Sequence, residues 1–452
     1  MGSIWTQYGP NTTRRGLLKG ALAGTGLIAL PGLLAACGSD SKTSDATVAA
    51  GTPTTTAGAS AVTSTEMEVF SWWTGGGEAA GLDAMIKIWD AKYPNTKFVN
   101  AAVAGGAGSN AKAVLAQRLS ANDPPDSFQG HAGAELSDYI KAGQVMPLNT
   151  YYTEWGLNDV FPADLVRQIT VDGSLYSVPV NIHRANVLWI SPKLTSAAGI
   201  TAVPTTFDEF LAALEKVKAS GVTPLALAEQ WTVKHLMETV LLSKLGVDGW
   251  TALWTAAGDW TAQPVTDALT AFKTVLGYVN DDYASLTWQD AAKRVVDGKA
   301  AYNIMGDWVD GYFGELKMTP HTDYEWAPVP GTSGVYDWLS DSFTMPKGAK
   351  HADATKAWLE LCGSKDGQDA FNPVKGSIPA RKDADKSKYG VYLKTAMDDW
   401  ASAKLAGSLT HGVVANNAWN TDIDGALGLF LNSKDIAAFQ KALATAHDTY
   451  AA

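Results

Sequence analysis

The sequence predicts an α/β protein built as two domains, on three observations. Strand-like apolar runs alternate with helix-spaced ones along most of the chain. The 452 residues exceed one ordinary core. Aromatic and polar residues recur where the predicted strands end, the position at which ligands collect in open α/β sheets. A composition of 46% hydrophobic and 18% charged residues is that of a globular protein, and 17 tryptophans are enough to line surfaces as well as core. The net charge of −11 gives no electrostatic footprint for nucleic acid. Seven histidines and two cysteines show no metal-ligand spacing, so neither a metal nor a cofactor is expected.

Residues 1–36 read as an export signal. Arg14, Arg15 and Lys19 are the only charged residues before Cys37, and the Gly/Ala/Leu run after them is short for a membrane span and broken by Pro31. The Arg14-Arg15 pair resembles a twin-arginine signal, and Leu34-Ala35-Ala36-Cys37 resembles a bacterial lipobox. That resemblance implies cleavage before Cys37 and a lipid on its sulfur; the alternative is an uncleaved N-terminal anchor. From Cys37 to residue 65 the chain is rich in Gly, Ser, Thr, Ala and Asp, a composition that cannot offset its ordering entropy and reads as a disordered tether. Such a coil spans roughly 30 Å on average. Cys362, within a helical pattern, reads as a buried free thiol.

The folded part opens with a strand over Met67 to Trp73, followed by Thr74-Gly75-Gly76-Gly77-Glu78 and a helix carrying Leu82, Met85, Ile86 and Trp89. Two readings stand for Trp72 and Trp73: buried core, or the wall of a pocket. Two flat apolar faces beside the Glu78 carboxylate suit a sugar ring, which has C–H faces and a hydroxyl rim. A strand over Lys97 to Val103 leads through Gly105-Gly106-Ala107-Gly108 into a second helix; the glycines lack the spacing of a phosphate-binding loop. Ser127 to His131 reads as a strand with Gln129 and His131 at its exit. Asp172-Gly173 is a hairpin signal, and the first crossing between domains is placed near Ser177 to Asn181.

The second domain starts with a strand over Asn186 to Ile190. Thr206 and Glu209 form a capping box ahead of a helix, and a strand over Val222 to Ala228 exits at Glu229-Gln230-Trp231. Another helix covers Val265 to Val279. A further one starts at Thr287-Trp288-Gln289-Asp290 and is followed by a strand, Lys299 to Met305, that ends in Gly306-Asp307-Trp308. Tyr324 to Pro330 and Val335 to Thr344 read as strands, with Leu339 to Phe343 as the crossing back. From Ala352 the chain is mainly helical, interrupted by irregular stretches over Asn372 to Pro379, with Lys375, and over Gly407 to Trp419, with His411.

These residues resemble the extracellular solute-binding proteins of ABC-type sugar importers. The resemblance rests on Val69-Phe70-Ser71-Trp72-Trp73, on Gly298-Lys299-Ala300-Ala301 running to Gly306-Asp307-Trp308, and on Leu339-Ser340-Asp341-Ser342-Phe343. Adding Trp72-Trp73-Thr74-Gly75-Gly76-Gly77-Glu78, Phe128 to Gly133, Val180 to Arg184 and Asn372 to Ser377, the chain looks like the branch that binds glucose and related hexoses.

The resemblance implies a two-lobe periplasmic-binding-protein fold of type II, with hinge-connected lobes and the ligand cleft between them. Lobe 1 is then expected over 66–178 plus about 340–385, and lobe 2 over 179–339 plus about 386–452. It further implies that Trp72 and Trp73 stack on the sugar, while Glu78, Gln129, His131, Asp341 and Lys375 bond its hydroxyls. From the second lobe, Trp231, Trp288 and Trp308 supply aromatic walls and Asp307 and His411 polar contacts. The expected protein is a lipid-anchored, exported monomer that is not an enzyme and delivers a monosaccharide to membrane permease subunits. One alternative is a secreted carbohydrate-active enzyme using Glu78, Asp307 or Asp341; another is an adhesin or structural surface lipoprotein.

Overall fold

The computed structural model describes residues 62–451. The leader, Cys37 and most of the tether lie outside the described residues. Among the described residues no helix is long and apolar enough to cross a membrane.

Two sheets form the centres of two lobes. The first has the order Lys97–Asn100, Glu66–Phe70, Ser127–His131, Asp341–Thr344, Ser177–Pro179. Its first three strands run parallel and the other two pair antiparallel. Ser127–His131 is buried along its whole length, as expected of a central strand covered on both faces by helices. The second sheet has the order Glu325–Pro328, Val187–Ile190, Ala300–Met305, Thr223–Ala226. Val187–Ile190 and Ala300–Met305 are likewise buried throughout. A three-stranded sheet has the order Lys404–Gly407, Val335–Leu339, His183–Arg184, and its last two strands stand in sequence between strands of the two main sheets.

The connections between sheets are short. The chain leaves the first sheet at Pro179 and enters the three-stranded sheet at His183. It leaves that sheet at Leu339 and re-enters the first at Asp341, so only Ser340 separates strands of two sheets. A third connection is marked by the bridge between Ile182 and Ile378. Of the two large apolar clusters, one gathers Met67, Trp89, Phe128 and Phe371 of the first lobe and continues into Trp189, Met305 and Phe313 of the second, and the other holds Leu188, Leu214, Leu241, Phe272 and Ile423. Each fully buried side chain of this kind contributes about 1.5–3 kcal/mol.

Local signals in the sequence behave as expected. Thr206 accepts from the Glu209 N–H while the Glu209 side chain accepts from the Thr206 N–H, and Thr287 with Asp290 repeats the arrangement. Asp172 and Gly173 take φ of 49° and 76°, the left-handed pair that a two-residue hairpin requires. Cys362 is a buried free thiol whose pKa burial drives up.

Elsewhere the structure corrects the reading. The strand expected to reach Trp73 ends at Phe70, and the Trp72 N–H turns to the Gln129 side chain at 3.2 Å. Trp231 lies in the first turn of the helix Gln230–Ala252, one step beyond the strand exit. The helix Lys365–Lys375 runs through Pro373 into the stretch read as irregular and stops at Gly376. Asn372 ties that turn down: its amide donates to Gln368 O at 2.9 Å and to Val180 O at 3.0 Å, and it accepts from Ser377 at 2.6 Å. The strand Lys404–Gly407 was not expected within the C-terminal helical region; it exists because Val335–Leu339 offers a parallel partner.

Candidate functional site

A cavity of about 360 Å³ opens between the strand ends of the two lobes. From the first lobe come Trp72, Thr74 and Gly75, which caps the helix Gly76–Lys92, with Glu78 in that helix's first turn. The acidic group there suits the positive end of the helix dipole. Trp72 packs against a tilted His131 ring, with centres 5.0 Å apart, and Lys112 lies over it, 5.6 Å from the ring centre. His131 Nδ1 is 2.7 Å from Glu135, which also pairs with Lys112 at 2.8 Å. Burial would raise the Glu135 carboxyl, but Lys112 and His131 outweigh it and bring the pKa down to about 2.

The Gly105-Gly106-Ala107 loop forms the rim facing the second lobe. A Cβ on Gly106 would lie 2.1 Å from Trp231 Nε1. Only glycine lets these two segments approach, so the rim is built for close contact between lobes. Trp231 in turn donates its N–H to Glu229 at 3.0 Å. The rest of the second-lobe wall is Thr287, Trp288, Gln289, Trp308 and His411. Trp308 packs edge-on to His411 at 5.1 Å and lies under Lys375, whose Nζ is 5.7 Å from its ring.

Charged groups concentrate where the chain crosses between lobes. Asp341 receives the Asn181 amide at 2.8 Å and the Gln129 amide at 2.8 Å, and its own N–H donates to Asn181 at 2.8 Å. His183 lies between two carboxylates, bonded to Asp307 through Nδ1 and 3.3 Å from Asp341 through Nε2. Burial disfavours the charged ring, yet Asp307 and Asp341 outweigh it and raise the His183 pKa. For Asp341 burial is again opposed and beaten, here by the His183 hydrogen bond and by Lys375, so the carboxyl is held well below its ordinary range. Glu78 goes the other way: burial raises it, and Lys375 at 3.3 Å only partly compensates.

The cavity brings together Trp72, Glu78, His131, Trp231, Trp288, Trp308, Asp341, Lys375 and His411 of the residues named from sequence. Three others are placed outside its lining. Trp73 is core, packed between Phe343 at 5.5 Å and Phe371 at 4.7 Å. Gln129 supports Asp341 and the Trp72 N–H, and Asp307 is committed to His183 and to the Arg184 N–H at 2.9 Å. Lining residues that the sequence reading left out include Asn110, His183, Glu229 and Gln289. His183 stood inside a quoted motif, Val180 to Arg184, at the predicted crossing; Glu229 stood at a predicted strand exit.

No metal-ligand spacing is visible in sequence, but folding brings His235, Glu238 and His411 together, with one donor atom from each within 4.8 Å of the others. His235 and Glu238 are one turn apart on the helix Gln230–Ala252, and His411 arrives from the loop after Lys404–Gly407.

Comparison with known proteins agrees with this architecture. Residues 72–369 match the family of bacterial extracellular solute-binding proteins. An uncharacterised ABC transporter extracellular-binding protein of Pyrococcus horikoshii is 38% identical over 82% of this chain and 85% of its own. A probable sugar-binding periplasmic protein of Rhizobium meliloti is 34% identical over 76% and 84%, and a xylose/arabinose-binding protein of Haloferax volcanii 31% over 77% and 77%. Among solved structures, a chitin oligosaccharide binding protein superposes with a TM-score of 0.74 over 85% of this chain and 99% of its own, at 22% identity. The two-lobed α/β fold is therefore that of the solute-binding proteins. The chain belongs to the bacterial extracellular solute-binding proteins and is the substrate-binding protein of a sugar ABC transporter.

Proposed function

We propose that this chain binds a single monosaccharide, glucose or a related hexose, in the cleft between its lobes and delivers it to the permease subunits of the transporter. The observation that carries this is a cavity with aromatic faces from both lobes, Trp72 on one side and Trp231, Trp288 and Trp308 on the other, around a charged set of Glu78, Asp341 and Lys375. Its volume of about 360 Å³ lies at the lower end of the roughly 300–1,000 Å³ usual for small-molecule sites, which favours one ring over a longer oligosaccharide. Hydrogen bonds to charged groups are stronger than neutral ones, and a sugar bonded by both lobes stabilises the closed arrangement through differential affinity. The names of the sugar-binding relatives support the ligand class.

The lobes are read as 66–178 with about 340–385, and 179–339 with about 386–452, hinged at Val180 to Ile182 and at Ser340. Residues 1–36 are read as a twin-arginine-type signal and Cys37 as the lipid-bearing residue, so that the mature protein is a monomer tethered at the outer face of the cell membrane. The carbohydrate-active-enzyme alternative loses one of its three acids, because Asp307 lies outside the cavity lining. A tryptophan fluorescence titration with hexoses tests the reading: a saturable change with at least one hexose and no turnover of aryl glycosides is expected. Turnover abolished by Glu78→Gln would overturn it.

A further inference from the structure

We propose that Glu238 and Ser408 form a relay that fixes the tautomer of His411, so that its Nε2 faces the cleft as a hydrogen-bond acceptor and selects a sugar hydroxyl able to donate. The ligand part of this inference rests on the sugar-binding reading above; the tautomer part does not.

Ser408 is fully buried and its hydroxyl carries one hydrogen. Within reach are Glu238 Oε1 at 2.8 Å, His411 Nδ1 at 3.0 Å and the His411 backbone N–H at 3.3 Å. Glu238 Oε2 accepts the Thr410 N–H at 2.6 Å. Next to Glu238 stands Asp337, fully buried, with no hydrogen-bond partner on either oxygen among the described residues. Burial and then the neighbouring Glu238 raise the Asp337 pKa well above its ordinary value. Glu238 accepts through both oxygens, from Thr410 N–H on one and from the single Ser408 proton on the other. The Ser408 oxygen then receives the proton on His411 Nδ1.

The ring is neutral. Burial, followed by His131, His235 and Lys112, holds the His411 pKa well below its ordinary value. A neutral imidazole with its proton on Nδ1 has a lone pair on Nε2, and His411 lines the cavity with that nitrogen unbonded to any described residue. His235 does not compete for the relay: its Nε2–H donates to Ala185 O at 2.9 Å, which leaves on Nδ1 a lone pair with nothing to give Glu238 4.0 Å away. With both Glu238 oxygens and His411 Nδ1 occupied, the three-residue cluster works as a proton relay and not as an open cation site. Lys375, Asn110 and Gln289 offer donors elsewhere in the lining, so His411 Nε2 is set apart as a neutral acceptor for a hydroxyl that donates.

The test is nitrogen NMR on the full chain labelled at its seven histidines, with the His411 signals assigned by their loss in His411→Gln. The inference expects an Nδ1–H ring in the sugar-free protein. Ser408→Ala should release the lock and give mixed tautomers, and Ser408→Thr, which keeps the hydroxyl, should restore it. Glu238→Gln should invert the relay, because Thr410 N–H holds the amide oxygen and turns the amide nitrogen to Ser408, whose hydroxyl then donates to Nδ1. In the wild type, one deoxyfluoro hexose, whose fluorine cannot donate, should bind about tenfold more weakly than the parent sugar, and that penalty should shrink in Glu238→Gln. An Nε2–H ring in the wild type, a tautomer unmoved by both Ser408→Ala and Glu238→Gln, or zinc retained on the purified protein through His411 would each overturn the relay. If no hexose binds while the Nδ1–H ring is found, the sugar-binding reading fails and the relay stands.

Discussion

Trp72 and Trp73 are neighbours in sequence with different places in the structure. Trp72 faces the cavity, whereas Trp73 is wedged between Phe343 and Phe371. Trp72→Ala should therefore weaken sugar binding by about 10–100-fold, the loss of an aromatic contact worth about 1.5–3 kcal/mol. Trp73→Ala should instead destabilise the fold by about 3–5 kcal/mol in chemical denaturation. Had the strand continued to residue 73, the alternation of its side chains would have told the two apart; it ends at Phe70, so sequence parity could not. His183 was missed for a related reason, since its role depends on Asp307 and Asp341, 124 and 158 residues further along the chain.

The same histidine predicts a pH dependence. Its folded pKa lies above the ordinary 6.5, so its bonds to Asp307 and Asp341 add stability that is fully present below that value and is lost as pH rises through the folded pKa. Asp341, held low, adds stability that is present above its ordinary 3.8 and is lost only as pH falls well below it. Melting temperature followed from about pH 5 to about pH 9 should decline on the alkaline side, and His183→Asn should flatten that decline. An unchanged alkaline limb in the variant would refute the assignment.

At the level of elements, what is decided locally was legible in the sequence. The Thr206/Glu209 and Thr287/Asp290 caps and the Asp172-Gly173 hairpin formed where their residues stand. Thr206→Ala should cost about 1 kcal/mol of stability. What tertiary partners decide was not legible: the helix through Pro373 relies on Asn372 bonding Val180, and the strand Lys404–Gly407 relies on Val335–Leu339. The glycines of the Gly105-Gly106-Ala107 loop showed only that they lack phosphate-loop spacing, and the loop's close approach to Trp231 is a property of two elements over 120 residues apart. Gly106→Ala should hinder that approach and lower sugar affinity by about tenfold while leaving the melting temperature of the sugar-free protein nearly unchanged.

For the whole molecule, two sheets joined by connections as short as a single residue make a hinge, and the lining of the cavity is divided between the lobes on either side of it. The strand exits that mark this cleft were readable because an α/β sheet gathers its ligands at one edge; the mutual distances of the charged groups across the hinge were not, since crossings fix them. A sugar held from both sides should compact the protein, a change that small-angle scattering detects as a smaller radius of gyration on saturation. The central claim, one monosaccharide between two lobes, is tested most directly by titration calorimetry of the mature chain with glucose, galactose, mannose, xylose and maltose. The account predicts one-to-one binding of at least one monosaccharide, tighter than maltose. Heat with maltose alone, or with none of these sugars, would contradict it.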